Sequence, residues 1–417
     1  MKQHFKHAPK TAAGPALPPE TASTFAATQA VWRFLDNDRV SLSKLVEPLI
    51  HFARKQIHSP YTLAVIDWSK IDYFHHESKK DRIQRTHQYD IGYDLAVHLL
   101  VDTNTGRPIA PVGMLMKTSN GFLSTSERSI DKDTPHHNQV LPMMDEVESL
   151  GLPTRLVHVI DREADSVYHW RSWISAGHLI LIRGDDRRVL WRGRSQMYRE
   201  IEAQMDVEHS FRKTCRVKIR DRDGIQEVCE TSILLRRAAL RRVDGRRTYF
   251  RGEPLELRLV IARIRDEKTN EVLSTWYLLT NVPPEVSSET IALWYHWRWE
   301  IETYFKLMKS SGHELEHWQQ ESGEAILKRL LISSMAAVIV WTLQRDSGED
   351  SIRFQDFLVR LSGKSMKRGR PPSSGALLSG LFVFFRLTAV LDEIQADPAK
   401  LSPYFKNLEK ICPNLLE

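Results

Sequence analysis

The sequence predicts an α/β fold with a β-rich insertion and helical regions at both ends. Short apolar runs of strand length alternate with segments of helical periodicity between residues 61 and 183. Residues 184–285 carry further strand-like runs, and the segments before and after these regions have helical patterns. Alternating strands and helices favour a sheet that is covered by helices. The 417 residues and the 41% hydrophobic content are sufficient for two or three domains with a buried core.

The N-terminal 60 residues divide into a polar segment and a helical module. Residues 1–20 are rich in Pro, Ala, Lys and His, and we expect them to be disordered. Ser23 or Thr24 can cap a first helix, and a second helix is expected to restart at Ser41 or Ser43. The module spans residues 21–60 in this prediction.

The predicted core, residues 61–183, has the element order β-β-β-α-β-α-β. Its strands are placed at 61–66, about 93–102, about 109–116, 155–160 and 178–183, and its helices at about 136–150 and 165–176. The first and fourth strands end at Asp67 and Asp161. An aspartate at a strand end is usually a turn-forming residue, so neither aspartate by itself indicates a catalytic role.

The second half of the chain begins with the predicted insertion and ends with helices. Strand-like runs in the insertion lie at 215–219, 231–235, 257–264 and 275–280. Pro283 and Pro284 end the insertion, and a helix is predicted to begin near Ser287 and Ser288 and to belong to the core segment 286–322. Further helices are predicted within residues 323–417, from the apolar runs at 325–331, 335–343 and 377–394.

Residues 294–309 combine aromatic, basic and acidic side chains at helical spacing. In a continuous α-helix, which turns about 100° per residue, one narrow stripe would contain Tyr295, Arg298, Glu302 and Lys309. A nearly opposite apolar stripe would contain Trp297, Ile301, Tyr304 and Met308. The polar stripe suits a metal ion and phosphates, and the alternative is an ordinary amphipathic helix with ion pairs.

The spacing Y-x2-R-x3-E-x6-K resembles the Tyr-Arg-Glu-Lys signature of a group of bacterial insertion-sequence transposases, insertion-sequence family four. The string D-R-E-A-D at 161–165 is typical of the same group. The resemblance implies an RNase H-like catalytic core with Asp67, Asp161 and Glu302 as its metal-binding triad. Trp68 stands where relatives commonly have a small hydroxyl residue. Glu300 is the alternative third carboxylate, but it falls beside the apolar stripe.

A catalytic triad of this kind implies two Mg²⁺ ions, for which Mn²⁺ can substitute. Such ions generate a nucleophile from water or a 3′-OH and stabilise the leaving oxygen, and hard cations prefer oxygen ligands. Arg298 and Lys309 would hold phosphates near the ions, and the Tyr295 hydroxyl would add a contact.

Several features predict contact with double-stranded DNA. Arginines cluster within 183–194 and 236–251, and arginine is well suited to phosphates; Arg162 and Arg183 are included in the predicted phosphate-binding set. The T-x-A-x-W-R-F-L-x-N-D-R-V string resembles the end-recognition domain of the group, with a helical cap on the next domain as the alternative.

Two shorter strings give further hypotheses about DNA binding. Trp276 lies in W-Y-L-L-T, which resembles a W-L-L-L-T string whose Trp stacks on a flipped-out base during hairpin formation; the alternative is a core Trp. The R-G-R-P string, Arg368-Gly369-Arg370-Pro371, resembles a minor-groove hook. A basic loop between helices is the alternative for that string.

The bulk properties limit the class of protein. The formal charge is +6, the N-terminus has no apolar signal-peptide segment, and the sequence has no apolar run of membrane-spanning length. Three cysteines without a C-x-x-C pair fit a reducing compartment. The resemblance implies a cut-and-paste transposase that acts as a homodimer on terminal inverted repeats and target DNA, and we expect it to be bacterial, cytoplasmic and nucleoid-associated. The alternatives are a catalytically silent DNA-binding protein or inhibitor, and a metal nuclease on the same fold.

Overall fold

The structure is a computed structural model that describes residues 22–130, 134–162, 166–219, 222–236, 238–243, 246–310, 313–366 and 371–396. Several predictions therefore fall wholly or partly outside the described residues. They are the disordered segment 1–20, the end of the D-R-E-A-D string at 163–165, parts of the arginine-rich segment 236–251, most of the R-G-R-P string at 368–370, and the end of the C-terminal region at 397–417. Contacts among the described residues divide the chain into two units. Unit 1 contains 22–41, 71–91 and 304–396, and unit 2 contains 42–70 and 92–303.

The helices occur near both ends of the chain and between strands. They are α1 (Ala22–Leu35), α2 (Leu42–Gln56), α3 (Val140–Ser149), α4 (Val167–Ser175), α5 (Tyr198–Val207), α6 (Ser288–His296), α7 (Glu300–Lys309), α8 (Gly323–Arg345), α9 (Glu349–Ser362) and α10 (Ser374–Ala396).

The strands occupy most of the region between Tyr61 and Thr280. They are β1 (Tyr61–Asp72), β2 (Ile83–Gln84), β3 (Ile91–Asp102), β4 (Pro108–Thr118), β5 (Gly121–Ser124), β6 (Arg155–Ile160), β7 (Leu179–Gly184), β8 (Arg188–Trp191), β9 (Arg194–Met197), β10 (Arg212–Ile219), β11 (Arg222–Leu235), β12 (Ala239–Val243), β13 (Arg246–Phe250), β14 (Leu255–Asp266) and β15 (Val272–Thr280). The core contains the predicted β-β-β-α-β-α-β elements in order, with two short strands, β2 and β5, that were not predicted. The mixed α/β class is confirmed.

One large sheet runs through unit 2 in the strand order β5-β4-β3-β1-β6-β7-β15-β14-β11-β8-β9. Strands β1 and β6 are parallel, with Ile66 opposite Ile160. Asp67 and Asp161 directly follow this pair, so they lie at the same edge of neighbouring strands, as predicted. Asp67 does not end its strand, because β1 continues to Asp72.

The strands of the predicted insertion continue the core sheet. Strand β15 pairs antiparallel with β7, with Leu279 opposite Ile182, and β14 then pairs with both β15 and β11. Helices α4 and α5 pack on this sheet, and Trp170, Trp173 and Ile201 are buried in the same core cluster as Leu279. The insertion therefore shares a hydrophobic core with the strands that carry Asp67 and Asp161.

The two N-terminal helices belong to different units. Helix α1 contacts α8 in unit 1, whereas α2 packs on β4 in unit 2. The packed face of α2 includes Leu42, Val46, Leu49 and Ala53, all buried. This packing agrees with the alternative of a helical cap for α2, and the DNA-end-binding role of residues 21–60 stays a prediction.

Unit 1 ends with three helices. Helix α8 is a single 23-residue helix where the sequence predicted two, and α9 was not predicted. Helices α9 and α10 approach closely, since a Cβ on Gly380 would lie 2.0 Å from the Leu358 carbonyl oxygen. Among the described residues, α8 is long and apolar enough to cross a membrane by length and composition, although 72% of its apolar window is buried inside the protein.

Candidate active site

The segment that carries the predicted signature is two helices joined by a tight turn. Helix α6 begins where predicted, because the Ser287 hydroxyl accepts a hydrogen bond from the Thr290 backbone amide at 3.2 Å. The helix ends at His296, a 3₁₀ turn occupies Trp297–Trp299, and α7 follows. The prediction of one continuous helix was therefore wrong.

We attribute this break to three neighbouring side chains with different surroundings. Trp297 lies against Gly106, where a Cβ would come within 2.3 Å of the indole ring. Arg298 is buried, while Trp299 is 51% exposed. A 3₁₀ turn has about three residues per turn, so the angles of a regular α-helix do not hold across it.

Three carboxylates from three separate elements converge on Arg298. Its Nη1 lies 3.0 Å from Asp67 Oδ2, and its Nη2 lies 3.5 Å from Asp161 Oδ2 and 2.9 Å from Glu302 Oε1. The guanidinium is only 5% exposed, whereas the carboxylate side chains are 19%, 34% and 41% exposed in the same order. The carboxylates therefore form an accessible acidic cluster with a buried cation behind them.

The charges of the cluster are mutually stabilising. Burial alone would lower the pKa of Arg298, but the negative charges of Asp161, Asp67 and Glu302 more than offset this effect and raise it. One guanidinium thus bridges the three carboxylates. Carboxylate oxygens are the ligands that hard divalent cations prefer, so the chemistry of this donor set fits a metal ion.

Tyr295 and Glu302 both contact this cluster. The Tyr295 hydroxyl donates a hydrogen bond to Asp161 Oδ1 at 3.2 Å, and burial together with the Asp161 charge raises the pKa of Tyr295. Glu302 is the glutamate of α7 that pairs with Arg298, and Glu300 was the alternative third carboxylate in the sequence prediction. Burial raises the pKa of Glu300, which agrees with its predicted position beside the apolar face.

The other predicted phosphate-binding residues lie in different surroundings. Lys309 Nζ is 3.1 Å from Glu316 Oε1, and both residues belong to unit 1. The Arg162 side chain is 57% exposed and lies 3.3 Å from Asp185, while its backbone amide donates to Asp161 Oδ1 at 2.6 Å. The predicted phosphate contacts of Lys309 and Arg162 stay predictions.

Trp276 lines a cavity of about 810 Å³ in unit 2. The cavity walls also include Arg183, Arg222, Gln226, His296 and Trp299. The Trp276 ring stacks on His296, with centroids 6.4 Å apart and planes inclined at 24°, and it meets Tyr295 edge-on at 5.6 Å. Trp276 is half-buried, so one part of its ring packs in the protein and another part faces the cavity.

The two arginine-rich segments meet at a second cavity. Arg187 and Arg188 from the first segment and Arg236 from the second line an open cavity of about 720 Å³, together with Asp186. Arg187 lies over the Trp170 ring at 4.7 Å. The fold thus gathers basic side chains that are about 50 residues apart in the chain.

Comparison with known proteins identifies the family. A family model for the transposase DDE domain matches residues 58–339, which is more than half of the chain. The chain belongs to the transposase DDE domain family. A search of curated proteins gave no match to this DDE-family chain.

One solved structure similar to this DDE-family chain is the cryo-EM structure of the piggyBac transposase synaptic complex with hairpin DNA. The two share 11% sequence identity with a TM-score of 0.38, and the match covers 91% of this chain and 63% of that chain.

The DDE family generally uses divalent metal ions. In this chain, Arg298 supplies a positive charge to Asp67, Asp161 and Glu302. Sequence reasoning placed Arg298 on an exposed polar stripe and so missed this central position. It also missed His296 and Trp299 as cavity residues, although both stand in the W-Y-H-W-R-W string.

We predict that Arg298→Ala lowers the free energy of unfolding by about 1–3 kcal/mol in EDTA, less than the cost for a fully buried pair because the carboxylates are partly exposed. Saturating Mn²⁺ should restore part of this loss, because the ion replaces the missing positive charge. Thermal or denaturant unfolding with and without Mn²⁺ measures both effects. Lys309→Ala is the control and should change stability little. An equal loss for Arg298→Ala with and without Mn²⁺ would show that Arg298 acts only through packing.

Proposed function

We propose that this protein is a cut-and-paste DNA transposase that acts at the ends of an insertion sequence. The observation that carries the proposal is the convergence of Asp67, Asp161 and Glu302 on one point in a chain of the DDE family. The parallel pairing of β1 with β6, beside β3 and β4, supports an RNase H-like core. Family membership supports a transposase, and the particular reaction course is our inference.

The proposed roles follow from the geometry of the cluster. Asp67 and Asp161, from neighbouring strands, and Glu302, from α7, would hold two Mg²⁺ ions. When bound, such ions activate water or a 3′-OH and stabilise the leaving oxygen. The Tyr295 hydroxyl orients Asp161. Arg298, buried behind the carboxylates, offsets part of their negative charge.

The proposed reaction is a series of phosphodiester exchanges at one site. Water attacks a phosphorus at the element end, and the P–O bond to the 3′ oxygen breaks. The freed 3′-OH attacks the opposite strand, forms a hairpin and releases the flanking DNA. Water then opens the hairpin, and the 3′-OH attacks target DNA. Each step forms one P–O bond and breaks one, so no oxidant or other co-reactant is needed.

Two cavities in unit 2 support this course. The cavity beside Trp276 combines aromatic rings with Arg183 and Arg222, which suits an unstacked base and its phosphate. The arginines that line the second cavity suit the DNA backbone. We further propose that the protein works as a homodimer, that helices within 323–417 form dimer contacts, and that it acts in the bacterial cytoplasm on nucleoid DNA.

The decisive experiment uses the DNA that flanks the gene. Labelled fragments with the terminal inverted repeats are incubated with purified protein and Mg²⁺ or Mn²⁺, and products are separated on denaturing gels. We expect nicks, hairpins and strand-transfer products that depend on the repeat sequence. End binding without cleavage would indicate a catalytically silent DNA-binding protein. Cleavage that ignores the repeats would indicate a non-transposing nuclease.

A further inference from the structure

A second group of metal-ligating side chains lies between α3 and the sheet of unit 2. His158 is on β6, His178 directly precedes β7, and Glu148 is on α3. Side chains of successive strand residues point to opposite faces of a sheet. His158 shares its face with Ile160, which is buried in the same core cluster as Met144 of α3. The side chain of Asp161, one residue later, is expected to point to the opposite face. The group is therefore separate from the acidic cluster.

The three side chains are already close to the geometry of a metal site. Glu148 Oε1 is 3.3 Å from His158 Nε2 and 3.8 Å from His178 Nδ1, and one ligand atom from each residue lies within 4.8 Å of the others. Tetrahedral Zn²⁺ with ligands at about 2.0–2.1 Å separates its ligand atoms by about 3.3–3.4 Å. Small side-chain rotations would therefore complete the coordination.

A fourth residue orients one of the ligands. His178 Nε2 lies 2.7 Å from Asp145 Oδ1, so a hydrogen bond to Asp145 leaves Nδ1 free to act as a ligand. This carboxylate–histidine arrangement is the usual outer shell of zinc sites. Partial burial opposes ionisation of Glu148, but hydrogen bonds from His158 and His178 lower its pKa to about 2. The carboxylate is thus ready to bind a cation.

The two histidines of this group are buried, which favours coordination of a metal ion by their ring nitrogens over contact with solvent. His158 is fully buried, and His178 is 6% exposed at its side chain. His98 is also buried, its ring centre lies 5.6 Å from that of His158, and neither of its ring nitrogens has a hydrogen-bond partner among the described residues. Clustered buried imidazoles without full hydrogen bonding are costly, and a bound ion would offset that cost.

We propose that Glu148, His158 and His178 bind one Zn²⁺ ion, with water at the fourth position and Asp145 hydrogen-bonded to His178. Mixed imidazole and carboxylate ligands favour zinc over magnesium. The ion would link α3 to β6 and to the residue before β7. The proposal does not depend on the proposed function.

The test uses Co²⁺, which reports tetrahedral sites by its visible absorption, and Zn²⁺ as the competitor. The full chain should bind one equivalent of Co²⁺ at this site, lose the spectrum to Zn²⁺, and unfold at a higher temperature with Zn²⁺. Glu148→Gln and His178→Gln should lose the spectrum and the thermal shift. Asp145→Asn should weaken binding by about 10- to 100-fold.

Matched variants separate this site from its surroundings. Glu146→Gln removes a carboxylate from the same helix, where it pairs with Arg128, and should keep the spectrum. Asp161→Asn alters the acidic cluster and should keep the Co²⁺ spectrum too.

Glu148 is 39% exposed, so its variant is expected to fold even if a variant of buried His158 does not. No tetrahedral spectrum in the wild-type chain, or an unchanged spectrum in Glu148→Gln and His178→Gln, would overturn the proposal and leave a hydrogen-bonded histidine–carboxylate cluster.

Discussion

Replacing Asp67 or Asp161 by Asn, or Glu302 by Gln, will abolish metal-dependent cleavage of the element ends and leave end binding largely intact. Each change removes one charged ligand from a cluster whose three carboxylates meet at Arg298. Metal ions contribute several kcal/mol of transition-state stabilisation, so we expect a rate loss of about 10³-fold or more. Cleavage is followed on denaturing gels and binding by gel shift.

Glu300→Gln is the matched control for the triad. Glu300 lies on the same helix as Glu302, two residues earlier, and carries the same functional group. Its variant should cleave at close to the wild-type rate. The opposite pattern, with active Glu302→Gln and inactive Glu300→Gln, would move the third ligand to Glu300. Near wild-type cleavage by Asp67→Asn would remove Asp67 from the triad.

Trp276→Ala will nick DNA ends almost normally but form few hairpins. A hairpin needs a tight turn between two strands, and a base near that turn cannot stay stacked in the duplex. An aromatic face recovers about 1–3 kcal/mol of lost stacking per base, which corresponds to a decrease in hairpin formation of about 5- to 150-fold. The half-buried Trp276 ring at the cavity wall is placed for this contact.

Two controls make the Trp276 experiment specific. Trp276→Phe keeps an aromatic face and should retain much of the hairpin yield. A DNA end with an abasic site at the flipped position should partly rescue Trp276→Ala, because no base then needs a stacking partner. If nicking and hairpin formation fall equally and the abasic end gives no rescue, Trp276 supports the fold rather than the base.

The sequence predicted the core well because its signals were local. Apolar runs near Ile66 and Ile160 and the cap at Ser287 are set by neighbours in the chain, and the structure contains the corresponding strands and helix. The break at Trp297–Trp299 was not predictable in this way. The Trp297 indole in this turn packs against Gly106, almost 200 residues earlier, which leaves room for the ring.

The features missed from the sequence depend on pairing between distant segments. No motif connects Glu148, His158 and His178, because two strands and a helix bring them together only after the sheet has formed. The burial of Arg298 likewise follows from the arrival of Asp67 and Asp161 on one side of it. Periodicity along a single helix cannot supply that information.

The antiparallel pairing of β15 with β7 fixes the distances between residues on different strands of the sheet. Ile160, Ile182 and Leu279 lie in one row across β6, β7 and β15, and Trp276 lies three residues further along β15, towards the edge that carries Asp161. Strand spacings of about 4.8 Å and a rise of about 3.4 Å per residue put the Cα atoms of Asp161 and Trp276 roughly 12 Å apart. Backbone hydrogen bonds set this distance, so changes to surface loops should leave the separation of Asp161 and Trp276 unaltered.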